Sequence, residues 1–317
     1  MLHRGRYCRG RWADSGLRGR AGEAYGACGK TVAGTRRGRR HGSVEARGLA
    51  RDRLRDSRHA GATVHDHGFG QDASMDIRAV AFDANGTLVK ILTEDGMEEI
   101  FRAAAHFLTY QGIDLCRDQV RDLYFQFMAE QRDASPEEHP EFDAVGIWRR
   151  IITEHQTAFT RALPAAKLEQ MPLFLAEMYR GISRRRLGLY PYAREVLDAL
   201  RERYPLALVT DAQSTYARGE LHRVGLLGYF DPIVVSGDHG YRKPDQRLFQ
   251  AALDRMNVAA GNAMYVGNDM HRDIFGAREA GLTTVMFDSD QGKKAYRDCV
   301  PDYTITDLRD LLAILGV

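Results

Sequence analysis

Five short apolar runs, each ending in an aspartate, constrain the fold of this chain more than any other feature. They are IRAVAFD at 77–83, PLALVTD at 205–211, PIVVSGD at 232–238, AMYVGND at 263–269 and LTTVMFD at 282–288. Apolar runs of this length without polar alternation are typical of strands that are buried on both faces of a parallel sheet.

Helical periods separate these runs. Apolar residues recur at spacings of three and four within 193–200, 248–256 and 274–280, and Gly281 follows the last of these segments as a C-cap residue. Alternation of strands and helices indicates βαβ units. The sequence therefore predicts an α/β protein with a Rossmann-like parallel sheet.

The first two predicted strands lie too far apart in sequence for a single crossover helix. Residues 94–186 lie between them and are rich in helix formers, with a further helix predicted over 144–160. We expect a helical domain inserted beside the sheet, with the aromatic stripes as its own core. The sheet domain would then comprise residues 75–93 and 187–317.

Residues 1–74 differ in composition from the rest of the chain. They hold 15 Arg and one Lys against seven Asp plus Glu, a charge of +9, which leaves −7 for the remainder of a chain whose net charge is +2. Few apolar residues and 14 of the 31 glycines predict disorder here. The segment fits a nucleic-acid-binding tail, an Arg-rich transit peptide or an extension without a role, and the absence of a recognisable motif favours the last.

Several function classes are disfavoured by composition. The four cysteines are scattered without a CxxC pair, so neither a disulfide framework nor a cysteine metal site is expected. No apolar run reaches the ~18 residues of a membrane span. The sequence predicts a soluble, cytoplasmic protein that binds neither membrane nor nucleic acid through its folded part.

Polar side chains follow the predicted strands at the edge where parallel sheets bind ligands. These candidates are Asp83, Thr210, Asp211, Lys243, Asn268, Asp269 and Asp273. Carboxylate oxygens are the ligands that Mg²⁺ prefers, and a lysine neutralises phosphoryl oxygens. The set predicts a site for a divalent cation and a phosphate.

Four segments resemble, in the same order, the motifs of the haloacid dehalogenase superfamily. They are FDANGTLV at 82–89, LVTDAQ at 208–213, YRKPDQRLF at 241–249 and VGNDMHRDIFGAREAG at 266–281. The predicted insert at 94–186 is similar to the family's helical cap of the first type.

The resemblance implies a phosphatase that acts on a small phosphorylated metabolite. Asp83 would attack phosphorus and form an aspartyl-phosphate, which water then hydrolyses. Thr210, Asp211 and Lys243 would contact the substrate. The implied cofactor is Mg²⁺, and its implied ligands are Asp83, Asp269, Asp273 and the backbone carbonyl of Asn85.

Asn85 departs from the family pattern, which has an aspartate at this position as general acid and base. An amide forms hydrogen bonds but does not exchange protons in this way. Two alternatives therefore stay open. One is a metal-independent dehalogenase that forms an aspartyl ester on carbon; the other is a weakly active or non-catalytic protein that binds a phosphorylated ligand or a protein partner.

Overall fold

The computed structural model describes residues 63–64 and 76–317. The predictions for residues 1–74 therefore lie outside the described residues, except at the two-residue strand Thr63–Val64. None of the described helices is both long enough and apolar enough to cross a membrane.

A mostly parallel sheet of seven strands forms the centre of the described part of the chain. Its strands are β1 (Thr63–Val64), β2 (Ala79–Phe82), β5 (Leu206–Thr210), β6 (Ile233–Val235), β7 (Ala263–Gly267), β8 (Thr283–Phe287) and β9 (Tyr303–Ile305). Their order in the sheet is β1-β9-β8-β7-β2-β5-β6, and only the β1–β9 pair is antiparallel. The α/β prediction is confirmed, because all five predicted runs are parallel strands of this sheet.

Ten α-helices accompany the sheets in the described residues. They are α1 (Glu98–Tyr110), α2 (Arg117–Asp133), α3 (Ala144–His155), α4 (Ala158–Arg161), α5 (Ala165–Ser183), α6 (Ala193–Arg201), α7 (Ser214–Arg223), α8 (Gln246–Met256), α9 (Gly276–Glu279) and α10 (Asp310–Leu315). A π-helical turn, Met270–Phe275, leads from β7 into α9.

The sheet is buried on both faces, which explains its continuous apolar strands. Val80 and Phe82 of β2 pack with helix α6 on one face. Ala81 of the same strand packs with Tyr265 and helix α8 on the other face. Successive side chains alternate between faces, so every position of β2 is occupied by an apolar residue.

Two strands join the helical insert to the sheet domain. β3 (Val89–Thr93) and β4 (Arg184–Leu189) pair antiparallel in a separate two-stranded sheet, and helices α1–α5 lie between them in sequence. These strands were not predicted, because only part of each is apolar and buried. The boundary predicted between residues 186 and 187 falls within β4.

The insert has a hydrophobic core of its own, which contains the aromatic residues Tyr124, Phe127 and Trp148. The single helix predicted over 144–160 is wrong, since α3 ends at His155 and α4 begins at Ala158. Thr157 is the cause: its backbone is extended, and its side chain accepts a hydrogen bond from the backbone N–H of Thr160, as an N-cap residue does.

Candidate active site

The carboxyl ends of β2, β5 and β7 bring the predicted polar residues to one edge of the sheet. Asp83 directly follows β2, and Asp211 follows Thr210, the last residue of β5. Asn268 and Asp269 follow β7. Because β2 pairs in parallel with both β5 and β7, these ends are adjacent. Asp83 and its neighbours therefore lie at the ligand-binding edge of the sheet.

Lys243 lies at the centre of this site, although it comes from the loop after β6. Its ammonium group donates hydrogen bonds to Asp83 Oδ1 at 2.8 Å and to Asp273 Oδ1 at 2.6 Å. It also contacts the carbonyl oxygen of Val209 and the hydroxyl of Tyr265, each at 3.1 Å. The lysine side chain is only 2% exposed, so these contacts replace its hydration.

Burial and charge set the protonation of this pair. Burial raises the pKa of Asp83 to about 6, and the positive charge of Lys243 opposes that rise. Burial alone would lower the pKa of Lys243, but Asp273 and Asp83 outweigh it and raise that pKa well above its ordinary value. The ammonium therefore stays charged at neutral pH, while Asp83 loses its proton near pH 6 and is ionised above it.

A tight turn after β2 orients the second oxygen of Asp83. Thr87 Oγ1 donates to Asp83 Oδ2 at 3.1 Å and lies 3.2 Å from Asn268 Oδ1. Gly86 in this turn has a φ of +95°, and a Cβ there would lie 2.3 Å from Asn268 Nδ2. Glycine is therefore required here, both for the left-handed backbone and for the close approach of Asn268.

The two carboxylates after β7 are held by protein donors. Asp273 Oδ2 accepts from the backbone N–H groups of Asn268 at 3.1 Å and Asp269 at 3.0 Å, while its Oδ1 binds Lys243. Asp269 Oδ1 accepts from two backbone N–H groups of the following turn. Asp269 Oδ2 accepts from Arg272 Nη2 at 3.1 Å and from a further backbone N–H at 3.0 Å.

Four buried polar atoms of this site have no hydrogen-bond partner within the described residues. They are Thr210 Oγ1, Asp211 Oδ2, Arg242 Nε and Asn268 Nδ2. Asp211 Oδ2 faces Arg242 Nε at 3.6 Å and Arg272 Nη1 at 3.7 Å. Asp211 Oδ1 is occupied by the backbone N–H of Lys243. A free hydroxyl and free guanidinium protons at one site suit an anionic ligand that accepts hydrogen bonds.

A cavity of about 370 Å³ lies between the sheet edge and the helical insert. Asn85, Asp211 and Arg242 line it from the sheet domain. Tyr124 and Arg132 line it from the insert. The insert therefore supplies part of the wall of a pocket that reaches Asn85 and Asp211 at the sheet edge, whereas Asp83 itself is not among the lining residues.

The predicted Mg²⁺ ligands do not fit that ion as they are arranged. Within the described residues, no group of three or more His, Cys, Asp or Glu side chains is placed to hold a metal. Asp269 and Asp273 are occupied by cations and backbone N–H groups. The other side chain beside Asp83 Oδ2 and Thr87 is Asn268, a neutral amide. Of the three predicted carboxylate ligands, only Asp83 has no hydrogen bond from a backbone N–H group. A single available carboxylate is a weak ligand set for Mg²⁺.

Four of the site residues described above were not among the candidates predicted from the sequence: Thr87, Arg242, Tyr265 and Arg272. Thr87 had a sequence signal, because it stands four residues after Asp83 within the first motif. Tyr265 had none, since it lies inside an apolar strand, and only the fold brings its hydroxyl to Lys243.

Sequence comparison identifies the family. The family model "Hydrolase: haloacid dehalogenase-like hydrolase" matches residues 77–281, about two thirds of the chain, and spans every motif residue around Asp83. The chain belongs to the haloacid dehalogenase-like hydrolases. It is therefore a hydrolase, as the motifs implied.

Several relatives in this family are phosphatases. The chain is 33% identical over 174 residues to a ribulose-1,5-bisphosphate 5-phosphatase of Halopiger xanaduensis, covering 51% of this chain and 73% of the relative. It is 37% identical over 174 residues to a phosphoserine phosphatase of Thermus thermophilus, covering 54% and 68%. A glyceraldehyde 3-phosphate phosphatase of Pyrococcus furiosus is 27% identical over 249 residues, covering 77% and 89%.

A solved structure shares the fold of this haloacid dehalogenase-like hydrolase. It is a 2-haloacid dehalogenase from Pseudomonas syringae, with a TM-score of 0.53 and 22% sequence identity. The match covers 76% of this chain and 98% of the dehalogenase. At this identity the likeness extends to the fold alone.

Proposed function

We propose that this hydrolase cleaves phosphate from small phosphorylated compounds and that Asp83 is its nucleophile. The observation that carries the proposal is the buried pair of Asp83 and Lys243, with the hydroxyl of Thr210, which has no partner among the described residues, nearby. The phosphatases among its relatives support the choice of phosphorus as the reacting atom.

In the first step, a carboxylate oxygen of Asp83 attacks phosphorus. The new O–P bond forms as the bond to the leaving oxygen breaks, and the leaving oxygen takes that electron pair. Lys243 orients the nucleophile through Oδ1 and Thr87 through Oδ2. Thr210 and Arg242 have free donors with which to bind the transferring oxygens.

In the second step, water attacks the phosphorus of the aspartyl-phosphate. The bond between Asp83 and phosphorus breaks, its electron pair returns to the carboxylate, and the proton of the water passes to solvent or phosphate. The helical insert forms a wall of the cavity and limits the access of other water.

The leaving group determines how much the amide at Asn85 limits the rate. Asn85 lines the cavity but has no proton to exchange, so an alkoxide leaving group must take its proton from solvent. General acid catalysis contributes typically ~10²–10⁴-fold. A carboxylate leaves without a proton, so we propose that acyl phosphates react faster than alkyl phosphates.

The engaged oxygens of Asp269 and Asp273 favour one second candidate, hydrolysis of a carbon–halogen bond without a metal. In that reaction Asp83 would attack carbon, the halide would leave with the bonding electrons, and water would cleave the resulting ester.

The test is a release assay with ethyl phosphate, acetyl phosphate and 2-chloropropionate, each in EDTA and in Mg²⁺. We expect phosphate release by the wild type, and a loss of at least about 10³-fold in Asp83→Asn. Asn85→Asp should accelerate hydrolysis of the phosphate ester far more than hydrolysis of acetyl phosphate. Asp288→Asn is the matched control, because Asp288 also follows a strand of the sheet but is exposed and pairs with Lys294. Chloride release without phosphate release would replace this proposal by the second candidate.

A further inference from the structure

Arg272 occupies an unusual position for a positively charged side chain in this site. It lies in the π-helical turn that follows β7. Its Nη2 donates to Asp269 Oδ2 at 3.1 Å, and its Nη1 lies 3.7 Å from Asp211 Oδ2, which has no hydrogen-bond partner among the described residues. Arg272 thus bridges carboxylates that follow two different strands, β5 and β7.

The charge of Arg272 acts on the whole group of carboxylates. Burial opposes its charged form, but Asp269, Asp273, Asp83 and Asp211 together outweigh burial and raise its pKa above the ordinary value. The same charge lowers the pKa of Asp83. Arg272 is therefore a permanent cation within electrostatic range of the nucleophile.

The amide of Asn268 complements this arrangement. A Mg²⁺ ion beside Asp83 would need further anionic oxygens, yet the side chain of Asn268, next to Thr87, is neutral. Asp269, the remaining carboxylate after Asn268, already accepts from Arg272. A dication at this place would also be repelled by the guanidinium. The side chain of Arg272 therefore neutralises the negative charge of carboxylates that would otherwise be available to a metal ion.

We propose that Arg272 is the resident cation of this active site and that phosphate binding and turnover need no divalent metal. The statement about turnover rests on the proposed function, whereas the statement about metal affinity does not. The rival interpretation is a structural ion pair between Arg272 and Asp269, three residues apart. That interpretation predicts effects on stability without any change in metal affinity.

Mg²⁺ affinity separates the two interpretations without requiring activity. Calorimetric titration of the full chain with MgCl₂ should give a wild-type Kd weaker than about 1 mM. Arg272→Gln removes the repulsion and the side-chain hydrogen bond to Asp269 Oδ2, and Asn268→Asp adds a carboxylate beside Thr87 and Asp83. We expect the double variant to bind Mg²⁺ at least about tenfold tighter than the wild type, as a change in ligands and their partners allows.

Phosphate binding provides the second measurement. Titration of inorganic phosphate in EDTA should show binding to the wild type, and the affinity should fall about tenfold or more in Arg272→Gln. Arg255→Gln is the control, since Arg255 is an exposed arginine near the end of α8 that lies 4.0 Å from Asp231. Circular dichroism of each variant checks that it is folded.

Three results would overturn the proposal. One is a wild-type Mg²⁺ Kd below about 0.1 mM, and another is loss of phosphate release in EDTA with recovery in Mg²⁺. The third is an Arg272→Gln, Asn268→Asp double variant that is folded and gains no Mg²⁺ affinity. If no substrate is turned over at all, the proposed function fails, while the Mg²⁺ and phosphate titrations still decide the role of Arg272.

Discussion

Replacing Lys243 by methionine should be the most destabilising conservative change at the active site. Methionine retains the length of the side chain but removes the ammonium that binds Asp83 and Asp273. Both carboxylates are nearly inaccessible, so solvent cannot replace the lost charge. Breaking a buried ion pair by removing one partner costs about 3–5 kcal/mol. We therefore expect the free energy of unfolding to fall by about that amount near pH 8.

The loss should depend on pH with a definite sign. The pKa of Asp83 is about 6 in the folded wild type, with Lys243 lowering it, and the variant's value must be higher still. An acid whose folded pKa exceeds its unfolded value binds more protons when folded, so stability falls as pH rises between the two values. The variant should therefore lose most relative to the wild type above pH 7. Near pH 5 the loss should be smaller, because Asp83 is then protonated.

Urea unfolding followed by circular dichroism at pH 5 and pH 8 measures both effects. Lys90→Met is the control, because Lys90 forms a partly exposed ion pair with Asp290 and should cost no more than about 1 kcal/mol. The reasoning is refuted if Lys243→Met costs less than about 1 kcal/mol at pH 8. It is also refuted if the loss is equal at the two pH values, since the unpaired carboxylates would then not be its cause.

Three further predictions concern the same fold. The log of kcat/KM should rise with pH and level off above about 6, the pKa of Asp83, because attack requires the ionised carboxylate. The measured profile must be corrected for ionisation of the substrate phosphate, whose second pKa is also ~6. Gly86→Ala should lower both activity and the urea midpoint, since a side chain at positive φ costs about 1–2 kcal/mol and this one displaces Asn268. The control is Gly261→Ala, which should be near neutral in the same assays because a Cβ there meets nothing within 4 Å. Glu220→Gln should lower the free energy of unfolding by about 1–3 kcal/mol in urea titrations, because the carboxylate accepts two hydrogen bonds from Arg180, at 2.8 and 2.9 Å. An unchanged urea midpoint would contradict this prediction.

The helical insert was predictable in position but not in its connections. Its length and helical periods followed from the spacing of the first two strands of the sheet. The pair β3 and β4 was not predicted, because each strand is only partly buried and finds its partner some 90 residues away along the chain. Pairing partners that are remote in sequence leave no local pattern.

The sequence determined most of the residues that reach the active site. Five apolar runs specify five parallel strands, and parallel strands bring Asp83, Thr210 and Asp269 to one edge whatever the details of packing. Lys243 was identified by its motif. This information is local, because the length of a strand and the residue that follows it depend on consecutive positions of the sequence.

Only the tertiary structure decided what those residues bind. Lys243 comes within 2.8 Å of Asp83 across 160 positions, and it shares its charge with Asp273. Asp269, predicted as a metal ligand, directs its oxygens to backbone N–H groups and to Arg272. A carboxylate has the same sequence signature whether it faces a metal or a guanidinium. Which of the two it meets depends on distances between loops, and the sequence does not contain those distances.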